Sequence, residues 1–254
     1  MIRSFSFPLL ITCFVLSLSC KTTFVASDIK TQNIPVSDSL FEIDSQIVRV
    51  YLPYKNILEK DMGKVISISE KEMFKDKPES GLTNLLADLL LEEGKLEVMR
   101  KNIKLNPQIS FLNYGGFRTG LPKGEITVGK IFELMPFENE MVFIRLSGGQ
   151  LQQFFDIVAG HGGESVGGVR FVISEEKAKN ITVNGEKLNA DEKYWMVTND
   201  YAANGGDGLE ILAQNSEIIS TGLKIRDLII ANFEQRKLKG EVLVETLDGR
   251  ITNE

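Results

Sequence analysis

The chain has 254 residues, of which 43% are hydrophobic and 25% charged, as in an ordinary globular protein. Its formal net charge is −6, with 29 Lys and Arg residues scattered among 35 acidic ones. The composition therefore argues against nucleic acid as a partner, because binding to phosphates needs clustered basic side chains.

The N-terminus has the pattern of an export signal. Arg3 precedes an apolar run over residues 7–18 that is short for a membrane span. The run ends in small residues followed by Cys20, which resembles a bacterial lipoprotein signal whose cysteine is lipidated; a simple secretory signal is the alternative. We predict a signal at 1–19, a tether at 20–45, and an extracytoplasmic protein anchored to a bacterial membrane by lipid on Cys20.

Hydrophobic spacing predicts the first helices and strands after the tether. Leucines at helical spacing indicate a helix from Ser80 to about Lys101, with Ser80 as its N-cap. A short buried strand over 109–112 runs into a glycine loop. A second strand over 141–146 leads into a helix over 149–159.

The second half of the chain is also predicted to contain both strands and helices. Strands are predicted over 169–173 and 181–183, and Asn184-Gly185 is a strong signal for a type I′ hairpin. A strand over 194–198 and a closing helix from about 223 to 235 follow. Because strands and helices do not alternate in a strict βαβ period, we predict an α+β fold with mixed sheets and packed helices.

The segment from Tyr201 to Gly208 is a candidate ligand loop. It follows a predicted strand and places one aromatic ring, Asn204 and Asp207 around glycines. The ring offers a face for stacking, the carboxylate suits sugar hydroxyls, and a glycine such as Gly206 allows close backbone approach. A tight turn without a ligand is the alternative.

A second candidate loop is Asn113-Tyr-Gly-Gly-Phe-Arg118. A strand runs into Gly115-Gly116 and then presents an arginine, whose planar fork suits bidentate contact with phosphate. Taken alone, the segment could also be a hairpin with a solvated arginine. The nearby turn over 136–139 is predicted to be structural, with Phe137 buried.

The histidine content argues against metal-based hydrolysis within the chain. Catalytic zinc and dinuclear sites usually draw on several histidines, and this sequence has only His161. Neither an HExxH helix nor a GxSxG elbow occurs. We therefore predict no catalytic residue and no metal site of this kind, and leave open binding of Mg²⁺ or Ca²⁺ by carboxylates alone.

Taken in order, the motifs resemble the C-terminal domain of the 5′-nucleotidase family. The likeness covers roughly Gln46 to Glu254, and we predict one domain over 46–254, similar to that family's layered α/β sandwich. The segments that carry the resemblance are Asn113–Arg118, Pro136–Asn139, Leu146–Gly148, Gly167-Gly168, Tyr194 and Asn204–Gly208.

The resemblance implies a nucleotide or nucleoside ligand. It also implies that Arg118 contacts phosphate, Asn113 approaches the nucleoside, Tyr201 stacks on the base and Asp207 binds the ribose hydroxyls. The remaining implied binding residues are Gly115, Gly116, Asn204 and Gly206.

Two features depart from the family pattern. The family clamps the base between two aromatic rings, and only His161 stands where the first ring is expected; a solvated loop histidine is the alternative. Near the phosphate, where the family has arginines, this chain has Lys71, Lys75 and Lys77.

In the family, a separate N-terminal metallophosphatase domain holds two metal ions, and no such domain is expected before Gln46. We therefore expect the chain to bind substrate for a separately encoded metallophosphatase subunit, which alone would carry the divalent metal pair. One alternative is a lipoprotein that binds nucleosides or nucleotide sugars without catalysis. Another is a structural surface domain whose ligand loop is vestigial.

Overall fold

The computed structural model describes residues 30–33 and 44–254. The chain divides into two units, Met1–Val48 and Arg49–Glu254. In the first unit, residues 30–33 have no regular secondary structure and residues 45–48 are helical. The predicted signal, its lipidation site Cys20 and most of the predicted tether lie outside the described residues.

The α-helices range from four residues to the 21 residues of the second helix. Two one-turn 3₁₀ segments, Tyr114–Gly116 and Gly206–Gly208, lie in the candidate ligand loops. The α-helices are α1 Ser45–Met62, α2 Gly81–Lys101, α3 Val128–Leu134, α4 Gly148–Gly160, α5 Asp200–Ala203, α6 Glu210–Ala213 and α7 Ile225–Leu238.

The helix starts follow from their capping residues. The hydroxyl of Ser80 accepts a hydrogen bond from the Thr83 N–H, and the Thr83 side chain accepts one from the Ser80 N–H, which forms a capping box. Ser147 and Gln150 form the same reciprocal pair at the start of α4. The predicted N-cap of α2 and the predicted helix over 149–159 are thus confirmed.

The strands form three sheets. A two-stranded sheet pairs β1 with β3, a five-stranded sheet has the order β10–β4–β9–β2–β5, and a four-stranded sheet has the order β11–β6–β7–β8. The strands are β1 Val65–Ser69, β2 Pro107–Leu112, β3 Gly124–Thr127, β4 Glu140–Ser147, β5 Ser165–Gly167, β6 Val169–Ser174, β7 Lys177–Val183, β8 Glu186–Lys187, β9 Lys193–Asn199, β10 Glu217–Lys224 and β11 Ile251–Asn253.

The five-stranded sheet separates two hydrophobic cores. Along β4, Val142 and Ile144 point into one core, together with α4 and the four-stranded sheet. Met141 and Phe143 alternate with them and point into the other core, which contains α2, α3 and α7. This layered arrangement confirms the predicted α+β fold with mixed sheets and packed helices.

The predicted hairpin is also present. Asn184 and Gly185 both have positive φ, 50° and 87°, as a type I′ turn requires. The flanking strands β7 and β8 pair with Val183 opposite Glu186.

The sequence predicts no element over 46–79, whereas the structure contains α1 and β1 there. Pro53 lies inside α1, and an interior proline normally signals the end of a helix. None of the α1 side chains is buried. Within the described part of the chain, no helix is long and apolar enough to span a bilayer.

Candidate functional site

The sheet topology brings three loops to one edge of the five-stranded sheet. β2 and β9 are parallel neighbours, so the chain leaves both strands at the same edge, after Leu112 and Asn199. β4 runs antiparallel to β9, with Met141 opposite Asn199, so the chain enters β4 at that edge. The segments that meet there are 113–118, 136–139 and 200–208.

These loops enclose a cavity of about 280 Å³. Each of the three loops contributes to its lining, and both amide and charged side chains are included. The lining residues are Asn113, Gly115, Gly116, Arg118, Phe137, Asn139, Tyr201 and Asp207.

Two aromatic rings face this cavity. Tyr201 is 45% exposed and Phe137 is 41% exposed, although large aromatic side chains are usually buried. The prediction that Phe137 is a buried, structural residue is therefore wrong. The turn over 136–139 presents the ring at the sheet edge instead of packing it into either core.

The carboxylate of Asp207 organises the polar side of the cavity. One oxygen accepts a hydrogen bond from the Tyr201 hydroxyl at 2.8 Å, and the other accepts one from Asn113 Nδ2 at 2.6 Å. The hydrogen bond to Asp207, followed by its negative charge, raises the pKa of Tyr201. Because each carboxylate oxygen has two acceptor sites, Asp207 keeps capacity for further donors from a ligand.

The glycines of the Tyr201 loop permit this geometry. Gly206 lies against the Tyr201 ring so closely that a side chain there would clash with it. Asp207 itself has a positive φ of 56°, which Asp and Asn tolerate better than most residues. Asn204 is not among the residues that line the cavity, and its side-chain amide donates to the Asp200 carbonyl at 2.7 Å.

Asn113 is buried and connects the ends of β2 and β9. Its Oδ1 accepts a hydrogen bond from Asn199 Nδ2 at 2.9 Å, while its Nδ2 binds Asp207. Gly115 and Gly116 lie beside these groups, and a Cβ at either position would sit 3.2 Å from Asp207 or Asn113 oxygen atoms. The predicted pair of glycines therefore keeps the backbone close to the polar centre of the cavity.

Arg118 and the lysines before α2 form a basic edge. Arg118 is exposed and lines the cavity. Lys75 donates to the Tyr114 and Phe117 carbonyls and lies 4.2 Å from the centre of the Tyr114 ring. The bond to the Phe117 carbonyl holds Lys75 beside the residue next to Arg118. Burial and then the charge of Arg118 lower the pKa of Lys75.

The other two lysines differ in position. Lys77 lies 4.9 Å from the centre of the Tyr114 ring and donates to the His161 carbonyl. Lys71 is exposed and does not line the cavity.

His161 does not line the cavity and faces Glu164 instead. Its Nδ1 lies 3.1 Å from one oxygen of Glu164, and the other oxygen accepts the Tyr114 N–H at 2.5 Å. Glu164 is buried, and burial raises the pKa of its carboxyl group against the opposing effect of these hydrogen bonds. His161 and Glu164 thus support the Tyr114 loop from behind.

A separate polar cavity of about 290 Å³ lies near β11. Arg250 is buried there and forms two hydrogen bonds with Asp88, at 2.7 and 2.8 Å, and two with Asp248, at 2.9 and 3.3 Å. Arg170 also pairs with Asp248, at 2.8 Å, so two arginines balance the two aspartates. The bonds from Arg250 to Asp88 join the start of β11 to α2. Across the described residues, no group of three or more His, Cys, Asp or Glu side chains is placed to hold a metal ion.

The family model for the 5′-nucleotidase C-terminal domain matches residues 63–214. The chain belongs to this family. The match includes all three loops of the cavity at the sheet edge, so the residues that line it lie within the matched region.

Three relatives illustrate the match. The trifunctional nucleotide phosphoesterase protein of Bacillus subtilis is 29% identical over 189 residues, covering 68% of this chain and 12% of that protein. The 5′-nucleotidase of Vibrio vulnificus is 22% identical over 203 residues, covering 78% of this chain and 35% of that protein. The crystal structure of a 5′-nucleotidase precursor from Thermus thermophilus superposes with a TM-score of 0.66 at 26% identity, covering 81% of this chain and 42% of that one. This chain therefore spans less than half of each.

Two residues that line the cavity of this 5′-nucleotidase C-terminal domain are not among the site residues predicted from its sequence. Phe137 and Asn139 line the cavity, and both belong to the Pro-Phe-x-Asn motif on which the family likeness was based. The signal that could have revealed them is the position of this motif immediately before β4, which enters the sheet beside the end of β9.

We predict that replacing Glu164 with glutamine reduces the pH dependence of stability. The folded-state pKa is raised, so between the ordinary value and the raised value the folded state binds more protons than the unfolded state. The unfolding free energy contributed by this group therefore falls as pH rises through that window. Urea unfolding from pH 4 to 8 should show Glu164→Gln gaining on the wild type as pH rises.

Glu133→Gln, which alters an exposed ion pair with Lys130, is the matched control and should not show this trend. A stability difference between Glu164→Gln and wild type that stays constant across the pH range would contradict the burial argument.

Proposed function

We propose that this domain is the nucleotide- or nucleoside-binding portion of a 5′-nucleotidase-type phosphohydrolase. The observation that carries the proposal is the cavity at the sheet edge, where two exposed aromatic rings stand beside a carboxylate and an arginine. A planar base, a ribose and a phosphate present the three kinds of surface that such groups bind.

The rings of Phe137 and Tyr201 would hold the base, because stacking of a base on an aromatic side chain contributes about 1–3 kcal/mol. Asp207 would accept hydrogen bonds from ribose hydroxyls, and charge-assisted bonds of this kind contribute about 1.5–3 kcal/mol. Arg118 would bind the phosphate, with Lys75 adding positive charge nearby. Asn113 would keep Asp207 oriented toward the ligand.

The hydrolytic step is assigned to a separate metallophosphatase subunit. The composition of the chain supports this, since it has one histidine and the described residues contain no fitting set of metal ligands. A divalent metal pair in the partner would supply an activated water for attack on phosphorus. This domain would hold the nucleotide in position for that attack.

The proposed place of action is extracytoplasmic nucleotide catabolism. The proposal relies on the N-terminal sequence, in which an apolar run and Cys20 resemble a lipoprotein signal. Lipid on Cys20 would then hold the domain at a bacterial membrane.

We expect the purified chain to bind AMP in calorimetry without releasing phosphate, with or without added Mn²⁺. Mixing with a metallophosphatase subunit encoded beside it should produce phosphate release that a chelator abolishes. Release of phosphate by the chain alone, sensitive to chelator, would overturn the assignment of hydrolysis to a partner.

If AMP binds but no such mixture becomes active, the result would favour a non-catalytic nucleoside or nucleotide-sugar binding protein. That second function would use the same side chains for binding the ligand.

A further inference from the structure

The turn that carries Phe137 is held from the start of α7. The Ile225 N–H donates to the Asn139 carbonyl at 3.0 Å. The side chain of the preceding residue, Lys224, donates to the Glu138 carbonyl at 2.9 Å. Lys224, the last residue of β10, and Ile225, the first residue of α7, thus bind two successive carbonyls of the turn.

Arg226 continues this pattern and adds a side-chain contact. Its Nη1 lies 3.4 Å from the Phe137 carbonyl, and its Nη2 donates to Glu138 Oε1 at 2.7 Å. Its guanidinium carbon lies 4.0 Å from the centre of the Phe132 ring on α3. The arginine therefore ties the turn to two helices at once.

Arg226 is buried, whereas its partner Glu138 is exposed. Arg226 is 6% exposed as a residue, whereas the side chain of Glu138 is 70% exposed. Burying an arginine is unfavourable unless hydrogen bonds and charge compensate for lost hydration. Here the compensation comes from the Phe137–Glu138 turn and the Phe132 ring, so the arginine and the turn stabilise each other's position.

We propose that Arg226 is a positioning residue for the Phe137 ring and acts through Glu138. This inference rests on the proposed function, in which Phe137 contacts the base. A ring on a short exposed turn loses conformational freedom when it binds a ligand, and a turn that is already fixed avoids most of that loss. Releasing the turn should therefore weaken binding of the base-bearing part of a ligand only.

The ionisation of Glu138 is consistent with this role. The hydrogen bond and the positive charge of Arg226, with a further contribution from Lys224, lower the pKa of Glu138. The carboxylate therefore stays ionised and able to accept the guanidinium hydrogen bond throughout the pH range used for binding measurements.

The experiment compares a ligand that has a base with one that lacks it. We expect Glu138→Gln and Arg226→Lys to weaken AMP binding about 3- to 10-fold in calorimetry, as expected for loosening one ordered side chain. Binding of ribose 5-phosphate should stay within about twofold of wild type, since that ligand does not contact Phe137. Glu138→Gln changes an exposed side chain and keeps the measurement informative even if Arg226→Lys folds poorly.

Glu217→Gln is the matched control. Glu217 pairs with Arg145 at 3.6 Å, and Arg145 also lies over an aromatic ring, that of Trp195, at 5.6 Å. None of these three residues lines the cavity, so this change should leave both affinities unaltered.

Each remaining outcome counts against the proposal in a distinct way. Equal weakening of AMP and ribose 5-phosphate would show a merely structural role and overturn it. Unchanged AMP binding by both variants, while Tyr201→Ala still weakens it, would overturn the positioning role and leave the proposed function intact. Failure of the wild type to bind AMP would remove the proposed function and this role together.

Discussion

Replacing Tyr201 with alanine is expected to weaken binding of adenosine and AMP alike, by about 5- to 150-fold. This range corresponds to the 1–3 kcal/mol contributed by stacking one base on an aromatic ring, at 1.4 kcal/mol per tenfold change. Tyr201 is half exposed and packs on Gly206 rather than in a core, so the fold should tolerate the change. Calorimetry with both ligands measures the effect.

Three comparisons isolate the stacking contribution. Tyr201→Phe keeps the ring and loses only the hydroxyl that donates to Asp207, so it should retain affinity within a few-fold. Arg118→Gln should weaken AMP and spare adenosine, because only AMP carries a phosphate. Tyr54→Ala removes an exposed tyrosine of α1 and should change neither affinity.

The prediction fails if Tyr201→Ala binds both ligands as the wild type does. That result, together with unchanged binding by Asp207→Ala, would indicate a structural domain whose loop has lost its ligand. Selective loss of AMP binding would instead place Tyr201 at the phosphate.

The parts of the fold that the sequence predicts well are those encoded by local chemistry. Ser80 marks the start of α2 because its hydroxyl binds a backbone N–H three residues on, and Asn184-Gly185 marks a hairpin because both residues adopt positive φ. The helix α1 is missed because Pro53 lies inside it and its side chains stay exposed. Spacing rules work only where a core selects one face of a helix.

The neighbours of each strand could not be predicted in this way. β2 and β9 are parallel partners although more than 80 residues separate Ser110 from Val197. No local pattern specifies such a pairing, yet it places Asn113 within hydrogen-bonding distance of both Asn199 and Asp207. The resemblance to a family gives the order of the motifs along the chain. The strand order of the sheet explains why they lie close together.

The sequence predicts the candidate site only in part, because contacts between residues distant in sequence help to shape it. Asn113, Arg118, Tyr201 and Asp207 carry side chains whose chemistry already suggests a ligand, and all four line the cavity. Phenylalanine is usually buried, so the sequence predicts a buried Phe137, whereas the ring is 41% exposed on a turn that Arg226 contacts. The sequence of the turn itself does not indicate a contact with a residue so distant along the chain.

We expect Phe154→Ala to reduce the unfolding free energy by about 3–5 kcal/mol, the range for deleting a buried aromatic ring. Phe154 on α4 is fully buried, and its ring meets Phe111 edge-on, with centroids 4.9 Å apart, and Phe155 at 5.0 Å. In thermal unfolding the midpoint should fall by about 6–20 °C, since 1 kcal/mol shifts a domain of this size by about 2–4 °C.

Leu238→Ala, at a side chain that is 88% exposed at the end of α7, should stay within about 0.5 kcal/mol of wild type. A loss below about 1 kcal/mol for Phe154→Ala would contradict the packing of α4 on the five-stranded sheet.

Tyr201→Ala and Phe154→Ala should also differ in how strongly AMP stabilises them. A ligand that binds only the folded state stabilises it by an amount set by its concentration and affinity. Phe154 does not line the cavity, so saturating AMP should stabilise Phe154→Ala and wild type by the same increment. The same AMP concentration should stabilise Tyr201→Ala by about 1–3 kcal/mol less, although its stability without ligand is unchanged. Equal increments for all three proteins would show that AMP binds away from Tyr201, whatever the stability of the core.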